Sequence, residues 1–294
     1  MKIAIFGQYY QNDTRPIIRD IFVFFNANDV ELVIEKTFLE ILYREQIVKK
    51  QYQTFADYSD LNSSFDAMIS IGGDGTILRA ATYVRDSGIP ILGINAGRLG
   101  FLAKVQKEDI DTFLHIVLKK KYSISHRTLL SLSSDASIEG LSNLNFAMNE
   151  ITVSRKDTTS MITIETYLNG EYLNSYWADG LIISTPTGST GYSLSCGGPI
   201  LTPEVAAFVI SPIAPHNLNA RPLVIPDTTE IELRVSGRED NYLVSLDSRI
   251  ASVSNNAVLK IKKTGFKINM IEIPDETFFK TLRNKLLWGE DKRN

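Results

Sequence analysis

The first 125 residues alternate short apolar runs with stretches in which apolar residues recur every three or four positions. Short apolar runs are typical of buried parallel strands, and the wider spacing is typical of helices with one buried face. The pattern predicts strands at residues 2–6, 31–34, 67–71 and 91–94, and helices at residues 17–25, 38–48, 77–84 and 109–118. Repeated β-α units of this kind predict an α/β domain with a mainly parallel, Rossmann-like sheet over residues 1–125.

The pattern changes after residue 125, where strict alternation replaces the helical spacing. Residues 230–235 and 258–262 alternate, and Asn169-Gly170 separates two β-prone runs. Alternation predicts strands with one buried face, and an Asn-Gly pair between such runs predicts a hairpin. We therefore expect an all-β carboxyl-terminal domain over residues 126–274. Apolar residues four positions apart then predict a final amphipathic helix within residues 275–294, which must pack on another surface.

Length, charge and cysteine usage exclude several classes of protein. A chain of 294 residues suggests two domains, at about 100–200 residues each. The net charge of −3 shows no basic excess, so we expect no nucleic-acid partner. No apolar stretch approaches the roughly 18 residues of a membrane span. The single cysteine cannot form an intramolecular disulfide. We therefore expect a soluble cytoplasmic protein with no membrane partner.

The strongest chemical signal is the turn Gly72-Gly73-Asp74-Gly75-Thr76 between a predicted strand and a predicted helix. Its glycines allow positive φ, and its N–H groups together with the helix start suit a phosphate. The acid distinguishes it from the dinucleotide fingerprint and from the Walker loop. A carboxylate repels phosphates, so its presence in this turn indicates a function of its own, such as taking a proton from an attacking hydroxyl or holding a metal ion. The alternative is that Asp74 only caps the helix.

Two further segments suit a nucleotide. Residues 185–195 carry six Ser or Thr hydroxyls, a tyrosine and two glycines, which suits a sugar-phosphate or a nucleotide amide; the alternative is a polar turn. In Asn149-Glu150, the acid can accept from two ribose hydroxyls and the amide can pair with an adenine edge, although most such pairs are solvated. Arg79 and Arg98 are candidates for phosphate contact, with solvated cations as the alternative.

Together and in this order, these segments resemble the NAD kinase family of bacterial ATP-NAD kinases. Residues 219–224 and 282–289 match the family as well. The resemblance implies that the last helix packs back on the first domain. It implies transfer of the ATP γ-phosphoryl group to the 2′-hydroxyl of the adenosine ribose of NAD, which yields NADP. It also implies dependence on a divalent metal, Mg²⁺, and a homo-oligomer, either a tetramer or a dimer.

The resemblance also implies roles for individual residues. Asp74 matches the catalytic residue, Asn149 and Glu150 match the adenine and ribose contacts, and Asp179 matches a carboxylate near the nicotinamide end. No residue is assigned as a metal ligand. The full expected nucleotide-binding set is Gly72, Gly73, Asp74, Gly75, Arg79, Asn95, Asn149, Glu150, Asp179, Thr190, Gly191, Tyr192, Ser193, Leu194 and Ser195.

The chain departs from the family pattern at two informative places. Asp247-Ser248-Arg249 stands where many bacterial members have Asp-Gly-Gln, so that Arg249 either removes a glutamine contact or adds a cation near a phosphate. Trp177 stands where some members carry a basic residue. Two rival functions remain open: a lipid kinase of the diacylglycerol type, which shares the glycine-rich turn, and a non-catalytic sensor that binds NADP(H).

Overall fold

The computed structural model describes the whole chain except residues 10, 97–99, 139, 142, 157–159, 256, 275 and 289–294, and except the side chains of residues 11–13. The chain divides into two compact units. The first unit comprises Met1–His126 and Ile268–Asn294, and the second comprises Arg127–Lys267. Residues 268–274, expected from the sequence in the β domain, therefore belong to the first unit.

The first unit is built on one seven-stranded sheet. Its strands are β1 (Lys2–Gly7), β2 (Glu31–Glu35), β3 (Gln53–Phe55), β4 (Ala67–Ile71), β5 (Ile91–Ile94), β6 (Ser123–Arg127) and, from the end of the chain, β19 (Ile268–Glu272). The strand order is β3-β2-β1-β4-β5-β19-β6, and the pairs from β3 through to β19 are parallel. The predicted parallel α/β domain is confirmed.

The helices of this unit bury most of the apolar positions that predicted them. They are α1 (Gln11–Ala27), α2 (Lys36–Arg44), α3 (Asp74–Val84), α4 (Ile110–Leu118) and α6 (Phe278–Leu286). The α2 helix ends before residue 48, where the sequence predicted its end. Gln46 has φ 55° and the Ile47 N–H donates to Leu42 O at 2.9 Å, which closes the helix in a left-handed turn. The apolar residues after Arg44 thus belong to the helix cap.

The second unit consists of two antiparallel six-stranded sheets. Its strands are β7 (Leu130–Ser134), β8 (Phe146–Ala147), β9 (Glu150–Ser154), β10 (Ile162–Leu168), β11 (Glu171–Ala178), β12 (Gly180–Ser184), β13 (Ala207–Ile213), β14 (Leu223–Pro226), β15 (Ile231–Ser236), β16 (Asn241–Leu246), β17 (Arg249–Ser254) and β18 (Val258–Lys263), with one short helix, α5 (Tyr192–Ser195). The sheet orders are β11-β10-β15-β18-β7-β8 and β14-β13-β12-β9-β16-β17. The predicted all-β fold is confirmed.

Alternation explains the core of the second unit. Ile231, Leu233 and Val235 of β15 are buried, while the polar residues between them are not. The hairpin predicted at Asn169-Gly170 is present, with φ values of 51° and 83° that a type I′ turn requires.

The last helix belongs to the first unit, as expected. The Phe278 ring of α6 lies 6.4 Å from the Phe101 ring, and Lys285 Nζ lies 5.7 Å from the same ring. Within the part of the chain that the structure describes, no helix combines the length and apolar character needed to cross a membrane.

Candidate active site

The glycine-rich turn lies where β4 ends and α3 begins. Gly72 has φ 150°, and a Cβ there would come within 2.3 Å of Thr76 Oγ1, so this position requires glycine. The N–H groups of Gly72 and Thr76 donate to Ile94 O and Gly73 O within the protein. The N–H groups of the residues between them are therefore the turn's candidates for an anion.

The outer side of this turn is open. A Cβ built at Gly73 or Gly75 would meet nothing within 4 Å, and Gly75 is exposed. The absence of side chains here lets a ligand approach the backbone closely at the start of α3. The arrangement matches the phosphate-binding turn predicted from the sequence, and phosphate contact at these glycines stays a prediction.

The Asp74 carboxylate is fixed by a loop that follows β5. Its Oδ2 accepts from the Phe101 N–H at 2.8 Å, and its Oδ1 accepts from the N–H groups of Leu102 at 3.0 Å and Ala103 at 2.9 Å. These hydrogen bonds of the side chain go to the loop and not to the first turn of α3, so the helix-cap interpretation does not describe them. A carboxylate offers about four lone-pair sites. Oδ2 therefore keeps capacity to accept one further hydrogen bond.

This loop can approach Asp74 because Gly100 has no side chain. A Cβ at Gly100 would lie 1.9 Å from Asp74 Oδ1 and 2.6 Å from its Cγ. Any other residue would displace either the loop or the carboxylate. Gly100 is therefore part of the arrangement that orients Asp74.

The remaining predicted site residues of the first unit differ in burial and in their contacts. Asn95 follows β5, is 4% exposed, and its N–H donates to Val105 O at 2.8 Å. Arg79 is exposed on α3, with its guanidinium 5.5 Å from the centre of the Phe6 ring. Arg98 lies outside the described residues. Their contacts with a nucleotide stay predictions.

In the second unit, Asn149 lies just before β9 and Glu150 begins it, and the backbone of the pair is held from two sides. The Asp247 carboxylate accepts from the N–H groups of Met148 at 3.0 Å, Asn149 at 2.7 Å and Glu150 at 3.3 Å. From the other side, Thr185 donates its N–H to Asn149 O at 2.9 Å and its hydroxyl to Met148 O at 2.6 Å. The conformation of this segment is therefore set by contacts far away in sequence.

The side chains of the same pair carry polar atoms that the protein does not satisfy. Asn149 Oδ1 and Glu150 Oε2 are buried and have no hydrogen-bond partner among the described residues. Buried polar atoms are nearly always paired, so an exception calls for a ligand or a water molecule. Two adjacent orphan acceptors, one on an amide and one on a carboxylate, suit a nucleoside with several donors.

The chemical environment of Glu150 shifts its titration. Burial raises the pKa of Glu150 to about 7, the Asp247 charge contributes to the rise, and the backbone N–H of Tyr192 opposes it. Near neutral pH, this carboxyl is therefore present in both its protonated and its ionised form.

Several hydroxyl groups of the segment 185–195 form hydrogen bonds within the protein. Thr190 Oγ1 donates to Thr187 O at 3.1 Å, and the Ser193 and Ser211 hydroxyls lie 2.8 Å apart. Tyr192, by contrast, is 46% exposed. Leu194 is half-buried and Ser195 is exposed in α5.

Gly191 lies directly beside the orphan acceptors. A Cβ at this position would lie 3.3 Å from Glu150 Oε2 and 3.6 Å from Asn149 Nδ2. The structure thus brings the Gly191–Tyr192 part of the segment together with Asn149 and Glu150.

Asp179 and Arg249 are engaged with protein groups. Asp179 Oδ2 lies 3.1 Å from Arg155 Nη2, a partner that the sequence did not suggest. The Arg249 guanidinium donates to the carbonyl oxygens of Leu144 and Phe146 and lies 3.8 Å from Asp247 Oδ2. It therefore supports Asp247.

Comparison with known proteins identifies the chain. The ATP-NAD kinase amino-terminal domain matches residues 14–122, and the ATP-NAD kinase carboxyl-terminal domain matches residues 148–273. A protein named NAD kinase from Flavobacterium johnsoniae is 74% identical over 294 residues, which is 100% of both chains.

The chain belongs to the ATP-NAD kinase family. This is a family of phosphotransferases, and the resemblance inferred from the sequence is confirmed.

Solved structures of the family share the fold. An NAD kinase from Archaeoglobus fulgidus in complex with ATP is 26% identical with a TM-score of 0.75, covering 98% of this chain and 99% of that chain. Yeast NADH kinase complexed with NADH has a TM-score of 0.89 and 22% identity, covering 99% of this chain and 89% of that chain.

Several positions in this ATP-NAD kinase fold were missed by sequence reasoning. They are the loop donors Phe101 to Ala103, Gly100, Arg155, and Asp247 as the acceptor for the Met148–Glu150 backbone. A sequence signal existed for Asp247, which lies between two β-prone runs and has φ 53° in the turn between β16 and β17. Gly100 carried a signal as well, because glycines after a parallel strand indicate a tight turn at the carboxyl end of the sheet. The others act through backbone groups or distant pairs, which carry no local pattern.

Proposed function

We propose that this chain transfers the γ-phosphoryl group of ATP to the 2′-hydroxyl of the adenosine ribose of NAD and so forms NADP. Asn149 and Glu150 bind the adenosine part of NAD, and Asp179 with residues 190–195 binds the rest of the dinucleotide. The backbone of Gly73 to Gly75, with Arg79 and Asn95 nearby in the first unit, binds the ATP phosphates. The carboxylate of Asp74 carries this proposal, because three N–H donors orient it while Oδ2 keeps room for a hydroxyl.

In this mechanism Asp74 orients the 2′-hydroxyl and takes its proton as the oxygen forms a bond to the γ-phosphorus. The bond between the γ-phosphorus and the β–γ bridging oxygen breaks, and ADP leaves. Phosphoryl transfer has a loose transition state, so positioning and charge stabilisation supply most of the rate. The three N–H donors fix the carboxylate before the reaction and prevent it from turning toward α3. A positioned general base contributes about 10²–10⁴-fold to the rate.

We propose Mg²⁺ as the divalent ion that accompanies ATP. The described residues contain no group of three or more His, Cys, Asp or Glu side chains that would hold a metal. Mg²⁺ is usually bound through one or two carboxylates together with substrate phosphates. The phosphates bound at the Gly73–Gly75 backbone would therefore hold the ion, which neutralises their charge.

We further propose that the protein works in the cytoplasm as a homo-oligomer. One cysteine in 294 residues suits a reducing compartment. Size-exclusion chromatography with light scattering tests the oligomer directly.

The test of function is NADP formation from ATP, Mg²⁺ and NAD by the purified protein, with polyphosphate as a second donor and NADH as a second acceptor. Asp74→Asn should lower kcat by about 10²–10⁴-fold and leave NAD binding close to that of the wild type. Asp86→Asn, an exposed aspartate shortly after α3, is the matched control and should retain full activity. Near-normal turnover in Asp74→Asn would reject the catalytic role. Tight NADP(H) binding without any turnover in the wild type would favour the sensor instead.

A further inference from the structure

Arg249, Asp247 and Glu150 form a connected group in the second unit, of which the proposed function uses only Glu150. Arg249 contacts Asp247, Asp247 contacts the backbone of Met148 to Glu150, and the Asp247 charge acts on the Glu150 side chain. The Asp247 side chain is 5% exposed, and the residue sits at φ 53° in the turn between β16 and β17. A buried carboxylate in a strained turn position is costly unless several partners hold it.

The hydrogen bonds determine which of the two carboxyls carries the charge. Asp247 accepts three backbone N–H groups and faces the Arg249 cation. Glu150 has one backbone donor, the N–H of Tyr192, and its Oε2 has no hydrogen-bond partner among the described residues. When two carboxyls interact, the proton goes to the one whose charge is less well stabilised. Glu150 therefore takes the proton, and Asp247 keeps its charge.

The remaining titratable groups around Glu150 do not replace Asp247 in this role. Tyr192 of α5 faces Glu150. Burial raises the pKa of its phenol most, and the charges of Cys196, Asp179 and Glu150 add smaller contributions. The Tyr192 side chain therefore stays neutral near pH 7. Arg249 acts on Glu150 through Asp247. Burial raises the pKa of Asp247, and the three backbone N–H donors and Arg249 oppose that rise.

We propose that Asp247, supported by Arg249, is a positioning residue for NAD: its carboxylate fixes the Met148–Glu150 backbone, and its charge controls the protonation of Glu150. An ionised Glu150 accepts hydrogen bonds from two ribose hydroxyls, whereas a protonated Glu150 has lost part of that capacity. Asp247 thus restricts full NAD affinity to pH values at which Glu150 has lost its proton.

The inference rests on the proposed function, because NAD is the probe. Calorimetric titration of the full-length protein with NAD, from about pH 5 to about pH 9, measures Kd without ATP and so excludes titration of the ATP phosphates. The wild type should bind NAD more tightly as the pH rises through about 7, the pKa of Glu150. Glu150→Gln should remove this dependence, which assigns it to Glu150.

Asp247→Asn tests the positioning residue itself. It keeps the size of the side chain but removes its charge and one acceptor oxygen. We expect NAD affinity to fall about 3- to 10-fold, because one or two backbone hydrogen bonds are lost. We also expect the midpoint of the pH dependence of Kd to move about one pH unit lower, because the charge that disfavours ionised Glu150 is gone. A role in folding alone would lower Tm and affinity while the midpoint stayed unchanged, and that result would overturn the proposal.

Arg249→Ala is the second variant, which decides the question if Asp247→Asn does not fold. Its NAD affinity should fall about 3- to 10-fold, while Arg234→Ala, which removes an arginine paired with Glu232 on the outside of the second unit, should bind NAD like the wild type. Equal affinity of the two arginine variants would overturn the proposal. A wild type that neither binds NAD nor forms NADP would instead reject the proposed function itself.

Discussion

At the scale of single residues, two aspartates in this protein share one arrangement. Asp74 and Asp247 each accept three backbone N–H groups from a segment far away in the chain. Such donors stabilise the ionised carboxylate and fix its orientation. Glu150 lies beside Asp247 without comparable donors, and burial with a neighbouring charge raises its pKa to about 7.

The raised pKa of Glu150 predicts how stability depends on pH. A carboxyl whose pKa is higher in the folded state contributes stability at low pH and loses it as the pH rises through the folded-state value. From an ordinary 4.5 to about 7, the loss amounts to at most about 3 kcal/mol. Glu150→Gln should therefore unfold at a higher temperature than the wild type at pH about 8 and at nearly the same temperature at pH about 4.

Thermal unfolding by circular dichroism at the two pH values measures this difference. Glu230→Gln is the control, because the Glu230 side chain is 70% exposed and its loss should not change the pH dependence. If Glu150→Gln gave the same difference from the wild type at both pH values, the raised pKa would not be the cause.

At this scale the sequence identified the reacting groups but not their supports. The turn residues 72–76 and the pair Asn149-Glu150 are contiguous, so local composition reveals them. The donors to Asp74 lie 27–29 positions away, and those to Asp247 lie 97–99 positions away. A backbone N–H has no residue identity, and pairing over such distances depends on the folded topology.

At the scale of elements, α6 supports the loop that orients Asp74. Phe278 of α6 and Lys285, two turns further along the same helix, lie beside the Phe101 ring. The Phe101 N–H donates to Asp74. Lys104, at the end of the same loop, pairs with Glu272 of β19 at 2.6 Å. The carboxyl-terminal segment therefore stabilises the loop at two points.

Removal of the Phe278 ring from α6 should lower kcat without removing any side chain that is predicted to contact a ligand. Phe278→Ala deletes the side chain that packs on Phe101, so the loop and Asp74 lose part of their fixed geometry. We expect kcat to fall about 10-fold, since small displacements of a positioned group are costly, while Kd for NAD stays within about twofold. Steady-state kinetics together with NAD calorimetry measure the two quantities.

Phe279→Ala is the matched control, because it truncates the neighbouring phenylalanine of the same helix, which is 57% exposed. Its kcat should stay close to the wild-type value. Equal kcat for the two variants would show that α6 does not act through Phe101.

The elements themselves were largely predictable. β4, β5 and α3 follow from apolar periodicity, and the β10–β11 hairpin follows from its Asn-Gly turn, because each depends on residues close in sequence. The position of β19 was not predictable. Its alternating and buried residues resemble those of the preceding β strands. Its place in the first sheet comes from long-range pairing with β5, where Met270 lies opposite Ile91, and with β6.

At the scale of the whole molecule, the second unit is an insertion into the first. Residues 127–267 lie between β6 and β19, which are neighbours in the same sheet. His126 Nδ1 lies 2.7 Å from Asn269 Oδ1, so the two connections between the units leave the first sheet side by side. The hydrophobic core of the second unit is formed by its own residues, between Leu130 and Ile261.

This arrangement predicts different behaviour for the separated segments. Residues 127–267 alone should fold cooperatively, because they bring a complete core. Residues 1–126 alone should not, because they lack β19, whose Ile268, Met270 and Ile271 are at most 6% exposed in the intact chain. Loss of three such buried side chains removes about 1.5–3 kcal/mol each, which is comparable to the whole stability of a domain, about 5–15 kcal/mol.

Joining residues 1–126 to residues 268–294 through a short Gly/Ser linker should restore folding of the first unit, since the side chains of His126 and Asn269, at the two ends, lie within hydrogen-bonding distance. Thermal unfolding by circular dichroism and the dispersion of amide proton shifts distinguish a folded from an unfolded segment. The control carries a scrambled 268–294 sequence on the same linker. It has the same length but cannot form β19, so it shows whether folding depends on that strand or only on a longer chain. Cooperative unfolding of residues 1–126 without any carboxyl-terminal segment would show that β19 completes the sheet without being required for it.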